Sequence, residues 1–335
     1  MVITQTPMRM SFLGGGTDYR EFFENVPGGG ISIATTFDKY CYVNMRKLPP
    51  FFDYSSKIIY SKIEHVSQIT DIEHPLIREC LRSLEMDHMH ITYDADLPAR
   101  TGLGTSSAFA VGLYLGLYAM KGKYLDKKSL ADKAIALERS ILNEYGGWQD
   151  QIACAYGGLN RIDFDENGYH VQPIIMSAAR KQEFESKCML FFTGFSRFSS
   201  DIAQEQVKRT AINTNNLIYM RELAREGFQV LSNEACNIRE FGRILHESWM
   251  MKRGLTNKIT TDGIDSMYQL ARKHGAGGGK LLGAGGGGFL LIYADEDRQE
   301  EIKKALESLK HIPFQFENEG ARILYYRDDG GELQC

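Results

Sequence analysis

Residues 97–108 read LPARTGLGTSSA and join a glycine-containing loop to an apolar segment that extends to residue 120. Gly102 and Gly104 precede three hydroxyl residues, an order typical of a loop that leads into a helix. The first N–H groups of a helix carry partial positive charge and have no partner within it, so they can hold phosphate oxygens. The hydroxyls can bond phosphate or ligate Mg2+, or one of them can serve only as the N-cap. No lysine precedes them as in GxxxxGK[ST], so the loop indicates another nucleotide-binding fold.

The length and the order of the predicted elements indicate two α+β domains. A chain of 335 residues exceeds what one hydrophobic core usually organises. We place the domains at residues 1–180 and 181–335, because a polar segment ends near residue 187 and a new strand follows. Periodicity and Gly/Pro punctuation predict the elements, with mostly helical sequence from 199 to 280. The predicted strands are 2–13, 31–45, 57–63, 159–164, 188–193, 287–294 and 321–326, and the predicted helices are 75–84, 106–120, 129–145, 148–155 and 298–309.

A carboxylate, Glu138, falls within the apolar face of the predicted helix 129–145. At 100° per residue it lies between apolar positions such as Ala134 and Leu142. A solitary buried charge is costly, so Glu138 needs a cation or a hydrogen-bond donor. Mg2+ bound by one or two carboxylates and by nucleotide phosphates would supply it. The alternative is a salt bridge to an arginine or lysine elsewhere in the chain.

A second carboxylate, Asp150, lies twelve positions after Glu138 in the segment YGGWQDQIA. A glycine turn there opens a short helix, and Asp150 falls in its first turn. Aspartate at that position is often only a partner of the helix dipole. The proximity of Glu138 instead favours two carboxylates in one functional neighbourhood.

The bulk composition excludes several classes of partner. The net charge is −4 and the pI about 6.1, so there is no electrostatic footprint for nucleic acid or an anionic membrane. The longest apolar segment, residues 108–120, is too short to span a bilayer, and the first ten residues do not resemble a secretory signal. The six cysteines are far apart without CxxC pairs, which favours free thiols. We therefore expect a cytoplasmic protein with no nucleic-acid or membrane partner.

Three motifs occur in the order found in the GHMP kinases, and the chain resembles that superfamily. They are PMRMSFLGGGTD at residues 7–18, the glycine loop at 98–108, and KLLGAGGGGF at 280–289. The superfamily includes galactokinase, homoserine kinase, mevalonate kinase and phosphomevalonate kinase. The resemblance implies a mixed N-terminal sheet and a ferredoxin-like C-terminal domain. It also implies that the third motif packs against the second.

Within the superfamily, several segments resemble the D-glycero-D-manno-heptose 7-phosphate kinases. These include RMSFLGGGTDYREFF, TGFSRFSSDIAQEQ and LHESWMMKRGLTNKIT. This resemblance implies ATP-dependent phosphorylation of the anomeric hydroxyl of the heptose 7-phosphate by a monomer or homodimer. Fucokinase-like domains share the pattern, so a kinase of unphosphorylated fucose or galactose is the alternative. A non-catalytic sugar and nucleotide sensor is a further reading, and GGGTD argues against a decarboxylase of the mevalonate branch.

The resemblance also implies roles for individual residues in binding ATP and Mg2+. Asp150 corresponds to the catalytic base, and Arg9 would neutralise charge beside it. Ser106 and Glu138 would ligate Mg2+. The ATP phosphates would lie against Gly102, Leu103, Gly104, Thr105, Ser106 and Ser107.

The sugar phosphate, the expected small-molecule partner, would bind near the first motif. Thr17 and Asp18 would hydrogen-bond sugar hydroxyls, and Gly15, Gly16, Gly285 and Gly286 would line the site. A phosphate on the sugar requires a basic group, which could equally be a solvated surface charge. Arg100 departs from the small residues common at this motif position, and it would contact a phosphate or point to solvent. The basic candidates are Arg197, Lys252, Arg253, Lys258 and Lys280.

Overall fold

The computed structural model describes residues 1–99, 101–194 and 199–327, without the side chains of residues 199 and 200. None of its described helices is long and apolar enough to cross a membrane. The strands are β1 (Val2–Leu13), β2 (Gly30–Lys47), β3 (Ser56–Ile59), β4 (Ile63–Val66), β5 (Met89–Ala95), β6 (Asn160–Asp165), β7 (Gly168–Pro173), β8 (Cys188–Phe192), β9 (Gly278–Leu281), β10 (Phe289–Tyr293), β11 (Lys310–Ile312), β12 (Phe316–Glu317) and β13 (Arg322–Tyr326). The helices are α1 (Arg20–Phe23), α2 (Pro75–Ser83), α3 (Thr105–Met120), α4 (Lys127–Ile135), α5 (Gln149–Tyr156), α6 (Ala178–Ser186), α7 (Ser199–Lys208), α8 (Thr214–Ser232), α9 (Glu240–Arg253), α10 (Asp262–Lys273) and α11 (Glu296–Ala305), with a 3-10 turn at Ile69–Asp71 and a π-helical segment at Ala136–Ile141.

The larger sheet is mixed and carries the first two motifs. Its strand order is β13-β1-β2-β5-β3-β4, with β6 and β12 also paired to β2, and β7 paired to β6. The pair β3 and β5 is parallel, whereas β1 and β2 run antiparallel along most of their length. Helix α3 lies against β1, where the Thr4 hydroxyl donates to the Gly112 carbonyl at 3.0 Å. The sheet therefore supports the glycine loop at the start of α3.

The second sheet is antiparallel with the order β11-β8-β10-β9. Helices α7 to α10 connect its first two strands in the chain, and α11 connects its last two. This is the β-α-β-β-α-β arrangement of a ferredoxin-like unit. The predicted fold class is confirmed. After β11 the chain returns to the larger sheet through β12 and β13, and the boundary between residues 180 and 181 stays a prediction.

The predicted helix 129–145 is wrong in its second half. Helix α4 ends at Ile135, and a π-helical segment follows in which the Leu142 N–H donates to the Leu137 carbonyl at 2.9 Å. Such wide turns are uncommon inside helices and occur frequently at functional sites. Glu138 lies in this segment and is 1% exposed, so the predicted burial of its charge is confirmed.

Candidate active site

The loop before α3 is shaped to receive a ligand at a helix N-terminus. Gly104 is the N-cap with φ of 71°, and no side chain caps the helix. Gly102 has φ of 80°, and a Cβ there would lie 2.3 Å from the Leu282 carbonyl oxygen. The two glycine loops are therefore in direct contact, as the motif order implied. The uncapped N–H groups of the first turn of α3 remain suited to phosphate oxygens.

Arg9 and Asp150 form a bidentate ion pair beside this loop. From β1, the Arg9 Nε donates to Asp150 Oδ1 at 2.7 Å and Nη2 donates to Oδ2 at 2.6 Å. The third nitrogen, Nη1, donates to the Gly102 carbonyl at 2.7 Å and so ties the pair to the glycine loop before α3. A Cβ on Gly104 would lie 2.9 Å from Arg9 Cγ, so the pair and the loop are in close contact.

Asp150 stays ionised although it sits in a protected position. Burial by itself would raise its pKa, but the charge and hydrogen bonds of Arg9 outweigh burial and hold the pKa below its ordinary value. The Asp150 side chain keeps 25% of its surface exposed, against 4% for Arg9. One carboxylate face is thus occupied by Arg9, and the group can still reach a ligand.

Glu138 has only uncharged partners within the described residues. Its Oε1 accepts from the Ser106 hydroxyl and its Oε2 from the Ser107 hydroxyl, both at 2.8 Å. The Gln151 side-chain amide also donates to Oε2. The salt bridge considered as an alternative is not formed by the described arginines and lysines. Among the described residues, the buried carboxylate is therefore held by neutral donors.

The sugar-site candidates Thr17 and Asp18 are both buried, and both side chains are hydrogen-bonded to the backbone. The Thr17 hydroxyl accepts from the Ile31 N–H at 3.1 Å and lies 2.8 Å from the Gly14 carbonyl. It is fully buried and braces its own loop, so its contact with a sugar stays a prediction. Asp18 accepts from the Gly16 N–H at 2.8 Å, and burial raises its pKa.

Two buried lysines from the second half of the chain reach the end of β1 and the glycine loop that follows it. Lys252 Nζ donates to the Gly15 carbonyl at 3.2 Å, and Lys280 Nζ donates to the Phe12 carbonyl at 3.1 Å. Each is 5% exposed, and neither forms a salt bridge with any carboxylate among the described residues. Burial lowers the pKa of Lys252, and burial with the nearby Lys252 charge lowers that of Lys280 well below its usual value.

Other predicted residues lie apart from this cluster. A Cβ on Gly285 would lie 2.7 Å from Ile259 Cα, and the Gly286 N–H donates to the Ile259 carbonyl at 2.8 Å. Arg253 is paired with Asp265, and Lys258 lies 4.0 Å from Glu205. These two cations are already compensated, which weakens them as phosphate ligands. Arg197 and Arg100 lie outside the described residues.

Sequence reasoning missed the glutamines on either side of Asp150. Gln149 Oε1 accepts from the Ser11 hydroxyl at 2.7 Å, which turns Nε2 toward Gly15. A Cβ on Gly15 would lie 3.3 Å from Lys252 Nζ and 3.5 Å from Gln149 Nε2, so both donors face one small space. Gln151 supports Glu138, as described above. Both glutamines lie in the first turn of the helix that carries Asp150, and their side chains point toward different neighbours. This position was the sequence signal that could have identified them.

Comparison with known proteins identifies the scaffold. Residues 74–158 match the sequence model described as the GHMP kinases N terminal domain, and residues 232–311 match the one described as GHMP kinases C terminal. The chain contains both domains of a GHMP kinase. The first match includes the glycine loop before α3, Glu138 and Asp150, and the second includes Lys252, Lys280 and the second glycine loop. Two distant parts of this GHMP kinase therefore supply one cluster of side chains.

Two similar proteins cover nearly the whole chain, and a third covers about two thirds of it. The D-glycero-alpha-D-manno-heptose 7-phosphate kinase of Campylobacter jejuni is 27% identical over 95% of this chain and 97% of its own length. The crystal structure of a D-glycero-D-manno-heptose 1-phosphate kinase from Bacteroides thetaiotaomicron superposes with a TM-score of 0.78 at 25% identity, covering 98% of this chain and 100% of that one. A bifunctional fucokinase/GDP-fucose pyrophosphorylase of Arabidopsis thaliana is 31% identical over 66% of this chain, which corresponds to 21% of that longer protein.

Proposed function

We propose that this GHMP kinase transfers phosphate from ATP to the anomeric C1 hydroxyl of D-glycero-D-manno-heptose 7-phosphate, giving the 1,7-bisphosphate. The observation that carries the proposal is the bidentate Arg9–Asp150 pair, which is tied to the phosphate loop through the Gly102 carbonyl. It puts an ionised carboxylate beside a helix N-terminus that is suited to phosphate. The similarity to a heptose 7-phosphate kinase over nearly the full length supports the sugar class.

Asp150 would accept a hydrogen bond from the attacking hydroxyl and take its proton as the new oxygen–phosphorus bond forms. The bond between the γ-phosphorus and the bridging oxygen breaks in the same step, and ADP leaves with that oxygen. Phosphoryl transfer depends mainly on positioning and on stabilising the charge that spreads over the phosphoryl oxygens. Arg9 holds Asp150 in one orientation through two hydrogen bonds and keeps it deprotonated. The guanidinium is also placed to stabilise negative charge on a phosphoryl group at the loop.

The residues present fit a Mg2+ ion bound with ATP. Mg2+ prefers oxygen ligands and commonly combines one or two carboxylates with nucleotide phosphates. Glu138 is a buried carboxylate without a cationic partner in the described residues, and Ser106 Oγ lies 2.8 Å from its Oε1 on the exposed side. Ser106 and Glu138 would therefore hold the ion. When bound, Mg2+ neutralises phosphate charge and fixes the orientation of the transferred group.

A phosphate already present on the acceptor would find its counter-charge at Lys252 and Lys280. These cations are buried, and each makes a single hydrogen bond to a backbone carbonyl. A buried ammonium normally requires an anionic partner, and an anion would favour its charged form. Gln149 Nε2 faces the same space beside Gly15 and adds a neutral donor. This site supports a sugar phosphate over a free sugar.

The decisive experiment is a phosphorus NMR assay of ATP with free and phosphorylated sugars. It reports both the acceptor and the hydroxyl attacked. This matters because the names of the two heptose kinases above place the phosphate at different positions. The expected product from the heptose 7-phosphate carries a second phosphate at C1, and its formation requires Mg2+. Turnover with free sugars but none with the heptose 7-phosphate would overturn the proposed substrate.

A kinase of an unphosphorylated sugar is the second candidate, because the fucokinase relative shares 31% identity over two thirds of this chain. Substitution of Lys252 distinguishes the two candidate substrates. If the substrate is a sugar phosphate, Lys252→Met should raise its KM by at least about tenfold, or about 1.4 kcal/mol. If the substrate is free fucose or galactose, its KM should change far less. A sensor without activity is disfavoured, since Asp150, Arg9, Ser106 and Glu138 are all present.

A further inference from the structure

Arg139 lies in the π-helical segment, and its guanidinium reaches the entry loop, the residues 144–147 that lead into α5. Its Nε donates to the Gly147 carbonyl at 3.2 Å, and its Nη1 donates to the Glu144 carbonyl at 3.1 Å. A Cβ on Gly146 would lie 3.0 Å from Nη2, so the guanidinium lies directly against the backbone between these two carbonyls. One side chain therefore holds both ends of the entry loop.

Arg139 is half-buried, and it forms no salt bridge with any carboxylate among the described residues. Its planar guanidinium can donate to two acceptors at once in a fixed geometry, which suits it to brace irregular backbone. The entry loop needs such a partner, because α5 begins only at Gln149 and no strand pairs with the loop. Burial alone would raise the pKa of Asp150, and the charge of Arg139 adds to that of Arg9 in lowering it. Arg139 therefore orders the loop and lies within electrostatic range of the proposed base.

The entry loop also lies directly against Asp18, one of the residues proposed to bind sugar. A Cβ on Gly147 would overlap Asp18 Oδ2, so only glycine fits there. The Trp148 N–H donates to the Asp18 backbone carbonyl at 3.1 Å, and the Gln149 N–H donates to Asp18 Oδ2 at 3.3 Å. Asp150 is the next residue in α5. The positions of Asp18 and Asp150 therefore both depend on the path of this loop.

We propose that Arg139 is a positioning residue for the acceptor sugar, because it bonds two carbonyls of the entry loop and so holds that loop against Asp18. The inference rests on the proposed sugar kinase activity and deepens it. Gly146 and Gly147 leave the loop with wide backbone freedom, which has to be lost before a sugar can bind. A displacement of about 1 Å in a reacting group can lower a rate by about 100-fold, and Asp150 follows the loop closely. Bracing by Arg139 orders the loop before the sugar arrives.

The test compares Arg139→Met with Arg139→Lys. Methionine fills part of the same space but donates no hydrogen bond, so the KM for the acceptor sugar should rise at least about tenfold and kcat should fall about tenfold. The KM for ATP and the half-saturating Mg2+ concentration should stay close to those of the wild type. Lysine keeps the charge but not the two-pronged donor geometry, so most of the defect in sugar KM should remain. Full recovery with lysine would show that charge alone matters and would overturn the inference.

A substitution on the other side of the loop tests the inference even if Arg139→Met fails to fold. Gly147→Ala places a methyl group against Asp18 and leaves Arg139 in place. It should therefore give the same result, a higher sugar KM at an unchanged KM for ATP. Gly263→Ala is the matched control, because a Cβ there meets no atom closer than 3.9 Å. An unchanged sugar KM in either Arg139→Met or Gly147→Ala would contradict the inference.

Arg180 provides the matched arginine control. It also braces backbone, donating to the carbonyls of Val230, Leu231 and Cys236 at and beyond the end of α8. Arg180→Met should lower Tm and leave the sugar KM unchanged. If Arg139 has only a structural role, Arg139→Met should likewise lower Tm, with equal rises in the KM for sugar and for ATP. That result would overturn the inference.

Failure of the proposed substrate is recognised separately. The acceptor in these assays is whichever sugar the phosphorus NMR assay identifies, so the inference does not depend on the heptose 7-phosphate. If no sugar is phosphorylated, the proposed function fails, and hydrogen exchange tests the brace instead. The Trp148 and Gln149 amides that bond Asp18 should then exchange at least about tenfold faster in Arg139→Met than in the wild type. Equal exchange in both proteins would contradict the inference.

Discussion

Asp150 and Glu138 both lie beside the start of α3, yet their charges are stabilised in opposite ways. Asp150 has a permanent cation, with two hydrogen bonds from Arg9. Glu138 is more deeply buried and, among the described residues, accepts only from Ser106, Ser107 and Gln151. A carboxylate that has its own counter-charge can stay ionised when no other ligand is bound. One that is held by neutral donors is preorganised for an incoming cation. The contrast fits the proposed roles of Asp150 as the proton acceptor and of Glu138 as a metal ligand.

The proposed role of Asp150 as the proton acceptor is tested most strongly by the substitution Asp150→Asn. The amide cannot take a proton from the sugar hydroxyl, so kcat should fall by at least about 100-fold, the usual scale for a positioned acid or base. The dissociation constant for ATP, measured by calorimetry, should stay close to that of the wild type. Asp163→Asn is the control, because Asp163 pairs with Arg161 on β6. Near-normal turnover in Asp150→Asn would show that the base assignment is wrong.

Glu138→Gln should instead change the response to Mg2+. The amide keeps the size of the side chain but removes the charge, so the half-saturating Mg2+ concentration should rise at least about tenfold, or about 1.4 kcal/mol. Turnover should recover in part at high Mg2+. Glu300→Gln is the matched control, since the exposed Glu300 side chain pairs with Lys303 on α11. A lower Tm with unchanged Mg2+ dependence would indicate a structural role only.

Ser107→Ala is a milder change that also tests the role of Glu138. The buried Ser107 hydroxyl donates to Glu138 Oε2 and positions the carboxylate. Losing one such hydrogen bond is worth about 1 kcal/mol, so the half-saturating Mg2+ concentration should rise about fivefold at an unchanged kcat. Ser107→Thr keeps the hydroxyl and should restore the wild-type value. An equal defect in both variants would point to disturbed packing rather than to the hydrogen bond.

The smallest expected effect is on stability in acid. The folded state lowers the pKa of Asp150 below its ordinary value of 3.8, so its contribution is complete above that value and is lost as pH falls through the folded pKa. The difference in Tm between wild type and Asp150→Asn should be constant near neutral pH and shrink below about pH 4. The pKa of Asp18 is raised, so its contribution to stability has the opposite dependence on pH. Asp18 is present in both proteins, and its contribution therefore largely cancels in the difference in Tm. A difference that grows in acid would contradict the ion-pair account.

Several features of the site could be predicted from the sequence because they depend on local pattern. Hydroxyls after a glycine loop indicated a helix start, and α3 begins at Thr105. Helical periodicity indicated that Glu138 is buried, and it is 1% exposed. The order of three motifs indicated the superfamily, whose N- and C-terminal domains match the chain.

Other features could not be predicted because they depend on partners distant in the chain. The π-helical segment at Ala136–Ile141 changes the path of the chain without an obvious sequence mark. Motif comparison assigned Thr17 to the sugar, although its hydroxyl bonds the backbone of Gly14 and Ile31. Strand β5 was not predicted, since its pairing with β2 and β3 decides its place in the sheet.

The sequence alone determined the helix N-terminus and the buried carboxylate, since both follow from residue types at short range, and the order of three motifs indicated the superfamily. Only the tertiary structure decided how their charges are balanced. It joins Arg9 to Asp150 across 141 positions, leaves Glu138 with neutral donors, and brings Lys252 to Gly15 across 237. Electrostatic energies depend on distance and burial rather than on order in the chain, and folding sets both.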